Sequence, residues 1–400
     1  MGRQIPRVDE AERVMAIPLI YNVRNLRVRA GATVMTALGV ALTVAIAIFI
    51  MMLLSGLNQA FHSTGNPRNV MALRKGSDSE LTSFMSNDTF QALKTLPGVE
   101  RDDKGEPMVS GEMVVAVVLP RRNGSGETNV VVRGVSPMAL KMRPDIKIAE
   151  GRWFQEGQHE IVVSQSVAKR FANASLGQQV MFGKSPWTVV GIFDASGSAY
   201  DSEIWGDVNQ MKADFDRPGY SSAVLRATDD VAADSLAKRL PDDQRIKLDG
   251  VIETNYYAKQ TRSGMFIQFI GTVVAIIMAV GSSFAAMNTM YAAVAYRGRE
   301  IATLRVMGFN RPSILTSFVL ESLLLSLLGG ATAVLLMLPF NGLTTGTSNM
   351  MTFSEVVFHM RMTPLIIVTA VGFAAFMGLI GGIAPAWHAS RQNILNALRD

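Results

Sequence analysis

The sequence predicts an integral membrane protein of four transmembrane α-helices, arranged one plus three, with a large mixed α/β extracytoplasmic domain inserted after the first helix. Three observations carry this expectation. Only 18 % of the 400 residues are charged, against about 25 % in soluble globular proteins, and mean hydropathy is +0.22. The apolar residues gather into four long runs holding at most one acid each, whereas Asn58 to Ser263 has an ordinary polar composition. Arginines flank the runs unevenly, as the positive-inside rule requires of a multi-pass chain.

Residues 1–29 read as a cytoplasmic amphipathic helix leading into the membrane, with Leu19, Val23 and Leu26 as its apolar stripe and Arg13, Arg24 and Arg27 on another side. The first span, 30–57, has its apolar heart at Val40 to Leu57, close to the ~20 residues needed to cross the hydrocarbon. It is too long for a secretion signal and no clean small-residue cleavage site follows, so it reads as an uncleaved anchor. Residues 58–263 form the inserted domain. The second span is 264–296, the third 312–340 and the fourth 362–387, separated by a cytoplasmic coupling segment at 297–311 and a short outer loop at 341–361. Residues 388–400 close the chain. The segments before the first span, between the second and third, and after the fourth hold twelve bases and five acids; the outer loop holds one of each. Both termini are therefore expected in the cytoplasm of a cell carrying this chain in its inner (cytoplasmic) membrane, with the large domain periplasmic or extracellular.

That domain carries 25 bases and 26 acids, so the overall charge of +5 and pI of about 9.4 record orientation and give no reason to expect nucleic acid as a partner. β-Forming patterns occur at Asn69–Leu73, Met113–Leu119, Asn129–Gly134, Glu160–Ser164, Gln179–Phe182, Thr188–Phe193 and Ala223–Ala227. Helical stretches at Asp88–Leu96, Ser166–Ala172 and Val231–Leu240 lie between them. Two α/β lobes follow, with a β-α-β return from Ser222 to Glu253 pairing near Asn69. The irregular Ala195–Gly206 reads as a loop exposing a partner surface.

Enzyme chemistry finds little support. The chain has no cysteine, which excludes disulfides, thiolate metal sites and a cysteine nucleophile. Gly183-Lys184-Ser185 fails as a phosphate-binding loop because Gln178 stands where the first glycine is needed. His62, His159, His359 and His388 are scattered without metal-ligand spacing. Neither a catalytic residue nor a metal ligand is expected. Glu321 is the one acid inside a span; such residues face protein or water, and pairing with a base near the cytoplasmic surface is the simplest reading.

The coupling segment is the richest in pattern. In Arg297-Gly298-Arg299-Glu300-Ile301-Ala302-Thr303-Leu304-Arg305-Val306-Met307-Gly308, the i, i+3, i+7 spacing of Ile301, Leu304 and Gly308 predicts a short amphipathic helix with charge on its other side. Gly308 stops it and Pro312 starts the next. This loop resembles the signature of the FtsX-like, or MacB-type, ABC transporter permeases, matching at Glu300, Ile301, Ala302, Arg305 and Gly308, with Val306 where alanine is usual. The C-terminal Pro385, Ala386 and Ala389, then Ala397, Leu398 and Arg399, are similar to that family's closing pattern. Tyr21 to Arg27, Ile161 to Ala168 and Val189 to Phe193 are also similar to family segments.

The resemblance implies a permease subunit without a fused ATPase, having no cofactor of its own and working with a separate ABC ATPase that binds ATP and Mg. It implies that ATP-driven motion reshapes the external domain, for efflux from the periplasm or lipoprotein handling. Arg299, Glu300, Ile301, Leu304, Arg305 and Gly308 are the expected ATPase contacts. A second permease subunit, identical or not, is implied, with membrane lipid around it and a periplasmic adaptor and outer-membrane protein as further candidates. A transmembrane signalling protein or cell-wall-hydrolase regulator of the same family is the alternative.

Overall fold

Small residues decide how the long helices of this chain meet. The computed structural model describes Arg24, Arg27, Val28 and residues 30–391 apart from 244, 261 and 350–353. The stripe Leu19, Val23 and Leu26 and the terminal Ala397, Leu398 and Arg399 lie outside the described residues. The chain divides into a helical unit (residues up to 52, 268–341 and from 362) and an α/β unit (53–267 and 342–361).

Among the described residues, four helices are long and apolar enough to cross a membrane: Ala30–His62, Gln268–Tyr296, Arg311–Phe340 and Pro364–Ser390. Lipid offers no hydrophobic drive for helix association, so close backbone approach must supply the contact. A Cβ on Gly329 of the third helix would lie 2.8 Å from the Ala37 carbonyl oxygen of the first, and one on Gly330 2.8 Å from Ala374 of the fourth. Gly382 faces Ser322 in the same way, and Ser322 Oγ donates to the Gly378 carbonyl at 2.5 Å. Gly381 brings the fourth helix against Ser283 and Ala286 of the second. Thr363 caps the fourth helix by accepting from the Ile366 amide.

The α/β unit is built on one ten-stranded sheet. Its strands are β1 (Asn69–Arg74), β2 (Val109–Pro120), β3 (Glu127–Val135), β4 (Lys147–Gly151), β5 (Glu160–Ser164), β6 (Gln179–Phe182), β7 (Ser185–Asp194), β8 (Glu203–Asp207), β9 (Ser222–Arg226) and β10 (Leu248–Ile252). The order is β10-β1-β9-β2-β3-β8-β5-β7-β4, with β6 on β7. Long β2 makes the two lobes: Val109–Glu112 pairs with β9, and Met113–Pro120 with β3. In the middle of the sheet both faces are covered, so β1, β5 and β9 are buried almost throughout and read as apolar runs, whereas β4 and β6 at the far edge keep exposed positions. In β1, Val70 and Ala72 enter a core beneath helix Asp230–Arg239, while Met71 and Leu73 enter another on the opposite face. The return from Ser222 pairs as expected, β1 lying between β9 and β10.

Two sequence readings need correction. Ala195–Gly206 is not an exposed loop: its second half becomes a 3₁₀ turn and β8, with Ile204 and Trp205 fully buried. The strand was disguised by Glu203, whose charge is neutralised by Arg133 inside the domain. Between the third and fourth long helices, strands Thr344–Ser348 and Glu355–His359 form a hairpin within the α/β unit. Polar Thr, Gly and Ser on its first strand hid the alternation.

Candidate partner-docking helix and buried charge network

The coupling segment folds as helix Gly298–Val306. Its C-terminus closes as a Schellman turn: the Gly308 amide donates to the Arg305 carbonyl and the Phe309 amide to that of Leu304. Gly308 sits at φ +98°, a conformation that side chains resist, with open space where a Cβ would project. Gly308 thus has a backbone role that needs no partner.

The helix is seated by its inner face. Ile301 and Ala302 are buried, and Ile301 packs with Val294, Ile314, Phe318, Ala386 and Ala389. Arg297, just before the helix, is 8 % exposed; its Nη1 donates to Glu321 Oε2 at 2.8 Å and its Nε to Glu300 Oε2 at 3.1 Å. Its guanidinium lies 4.9 Å from the Phe318 ring centroid. Glu321 therefore has a base as its partner, and the pair ties the short helix to the third long helix.

Of the residues expected to meet a partner, Arg299 and Glu300 are exposed, Leu304 and Arg305 are half-buried, and Ile301 is turned into the chain's own core. The i, i+3, i+7 pattern located only part of the buried face: Ile301 is buried, Leu304 half-buried and Gly308 exposed, while Ala302, outside the pattern, completes the seat. The outward face is Arg299, Glu300, Thr303, Val306 and Met307, the last two 67 % and 58 % exposed. Pro385, Ala386 and Ala389 lie on the buried side of the fourth helix.

Sequence reading missed a second constellation entirely. Inside the α/β unit, Arg133 Nη1 donates to Glu80 and to Glu112, each at 2.8 Å, and its Nε to Glu203 at 2.8 Å. Arg143 donates to the other Glu112 oxygen at 2.5 Å and to Glu253 at 3.1 Å. Glu253 also accepts from Tyr200, Asn69 and the Asn66 amide. Burial alone would raise the Glu253 carboxyl, but Arg143 and these hydrogen bonds outweigh it and hold it below the ordinary value. Burial also pushes the Tyr200 and Tyr257 hydroxyls far up, so both stay protonated donors. Six residues scattered from 80 to 253 carry no local motif; Glu112, Arg133 and Glu203 gave a signal as charges inside strands, while Glu80, Arg143 and Glu253 lie outside strands and gave none.

These features belong to a class of membrane proteins with a short helix seated between long apolar ones and an inserted α/β domain, and comparison identifies which. Residues 33–242 match the MacB-like periplasmic core domain and residues 272–394 the FtsX-like permease C-terminal domain. The chain belongs to this MacB/FtsX-type family of ABC transporter permeases. It is 27 % identical over 391 residues to the uncharacterized ABC transporter permease YknZ of Bacillus subtilis (strain 168), covering 92 % of this chain and 94 % of that one. The macrolide export ATP-binding/permease protein MacB of Hahella chejuensis is 24 % identical; the match covers 82 % of this chain and 55 % of the relative, so the chain spans about half its length. The crystal structure of the extracellular domain of YknZ from Gram-positive bacteria aligns at 19 % identity with a TM-score of 0.35, covering 46 % of this chain and 99 % of that one.

Proposed function

We propose that the chain is the transmembrane subunit through which a separate ABC ATPase moves the extracytoplasmic α/β domain. ATP and Mg bind to that ATPase, and a second permease subunit completes the complex. Positive-inside asymmetry supports placing the short helix in the cytoplasm and the α/β unit outside. The observation that carries the reading is the core inside the α/β unit on which three of its segments converge. Leu57, Ala60 and Phe61 from the first long helix, Tyr256 and Tyr257 just before the second, and Val356 and Phe358 of the hairpin share one hydrophobic core with Trp205 and Phe193. Close-packed cores transmit displacement, whereas a flexible linker would absorb it.

In this reading Arg299, Glu300, Thr303, Val306 and Met307 meet the ATPase; Ile301, Ala302 and the Arg297–Glu321 pair hold the helix at a fixed angle. The test is co-purification with the ATPase that the chain retains from its native membrane. Arg299→Glu combined with Val306→Asp should cut retention and ATP turnover by about tenfold, the loss of about 1.4 kcal/mol of contact. Unaltered binding and turnover in that variant and in Glu300→Ala would refute the assignment.

A further inference from the structure

The α/β unit contains a cavity of about 530 Å³, within the ~300–1,000 Å³ range that holds a small organic molecule. Buried Asn69, Arg143, Tyr200 and Glu253 form its floor, and exposed Asp145, Lys147 and Asp194 stand at its rim. We propose that this cavity binds a protonated, hydroxyl-bearing amine.

The donors on its floor are already engaged. Glu253 Oε1 takes hydrogen bonds from Arg143 at 3.1 Å and Tyr200 at 2.9 Å, and Oε2 from the Asn66 amide at 2.9 Å and Asn69 Nδ2 at 2.7 Å. That last bond orients the Asn69 amide and leaves Oδ1 a buried acceptor with no donor. Ser198 Oγ, in the same wall and 7 % exposed, is likewise buried without a partner. Buried polar atoms are nearly always satisfied; Asn69 Oδ1 can only accept and the Ser198 hydroxyl can accept or donate, so the pair suits a ligand that brings hydrogen-bond donors and hydroxyl groups.

The electrostatics select the charge of that ligand. On the floor Glu253 stands against Arg143, and the two are paired with each other. The rim adds Asp145 and Asp194 against Lys147. Three lining carboxylates thus oppose two bases, and with Arg143 already held by Glu112 and Glu253 the excess of negative charge falls at the mouth. Asn66, Ser63 and Ser196 supply further polar wall for hydroxyl groups.

The inference concerns the chain without nucleotide or ATPase, so it stands or falls apart from the proposed transmission. Saturation-transfer NMR on the full chain in lipid nanodiscs, with glucosamine and spermidine as probes, tests it. Glucosamine should receive saturation and N-acetylglucosamine, which keeps the hydroxyls but lacks the charge, should not. Asp145→Asn with Asp194→Asn should weaken glucosamine binding about tenfold, Ser198→Ala should weaken it too, and the remote Asp243→Asn should leave it unchanged. Tryptophan fluorescence melting of each variant establishes that it is folded. Failure of glucosamine to bind, binding of spermidine as tight as that of glucosamine, equal binding of N-acetylglucosamine, or unchanged affinity in the rim variant would overturn the proposal.

Discussion

Replacing Arg133 with methionine should cripple the α/β domain in a manner that depends on pH. Arg133 is 2 % exposed and bonds three carboxylates, so its loss leaves Glu80, Glu112 and Glu203 buried with only Arg143 still paired to one of them. Removing one partner of a buried ion pair costs about 3–5 kcal/mol, a large part of the ~5–15 kcal/mol that holds a domain together. At ~2–4 °C per kcal/mol for a domain of this size, Tm should fall by roughly 6–20 °C at pH 8. Orphaned buried carboxylates take up protons, so their folded pKa values rise above the unfolded value of about 4.3. A raised folded pKa gives stability that is full below the unfolded pKa and lost as pH climbs through the folded one, so R133M should melt higher at pH 5 than at pH 8 relative to wild type. Tryptophan fluorescence reads this directly, because Trp205 Nε1 donates to Glu203 at 2.7 Å inside the network. A variant within about 1 kcal/mol of wild type at pH 8, or with the wild-type pH slope, would refute the view that Arg133 neutralises this cluster.

Four further outcomes are expected. Glu253, held below its ordinary value, stabilises the fold above about pH 4.5 and loses that contribution as pH falls through its depressed value, so Glu253→Gln should flatten the acid limb of a stability–pH curve. Arg297→Met and Glu321→Leu should each destabilise the helical unit by about 3–5 kcal/mol, and the double variant by less than either, measured by thermal melting in detergent. Gly378→Leu should disrupt the third and fourth helices, since even a Cβ there would clash with Ser326 Oγ, and should appear as loss of monodispersity and faster proteolysis. Gly308→Ala should cost about 1–2 kcal/mol through its left-handed backbone, seen as faster amide exchange confined to Gly298–Val306.

The membrane helices were legible because length and lack of charge are properties of a contiguous segment, and seven strands were legible because their apolar residues announce a pleated surface. β8 was not: Glu203-Ile204-Trp205-Gly206-Asp207 carries an acid at each end, and only the arrival of Arg133 from β3 makes Glu203 tolerable inside. The hairpin at 344–359 escaped for a related reason, since Glu355 reads as a solvent residue until Arg121 and Arg170 are seen to enclose it. In helix Gly298–Val306, the spacing of Ile301 and Leu304 revealed a face but not which way it points. An apolar stripe promises burial against something; the packing of Phe318 and Ala386 decides that Ile301 meets its own chain.

The buried charges are placed where apolar packing would leave the geometry least defined. Glu112 lies on β2 at the end of its pairing with β9, one residue before its pairing with β3 begins, and it receives both Arg133 and Arg143. Arg133 then reaches Glu203 on β8 in one lobe and Glu80 in the other, while Arg143 reaches Glu253 at the end of β10. Such a cluster contributes little net stability over an apolar core of the same volume, because desolvation offsets most of the attraction. Its hydrogen bonds are directional, however, and an apolar seam between two lobes can slide without losing contact area. For a domain proposed to be moved through its attachment points, fixing the angle between lobes matters more than depth of the energy well. Replacing Arg133, Glu80, Glu112 and Glu203 together with apolar residues should therefore preserve or raise Tm while reducing the substrate movement obtained per ATP, a pairing that a purely stabilising role could not produce.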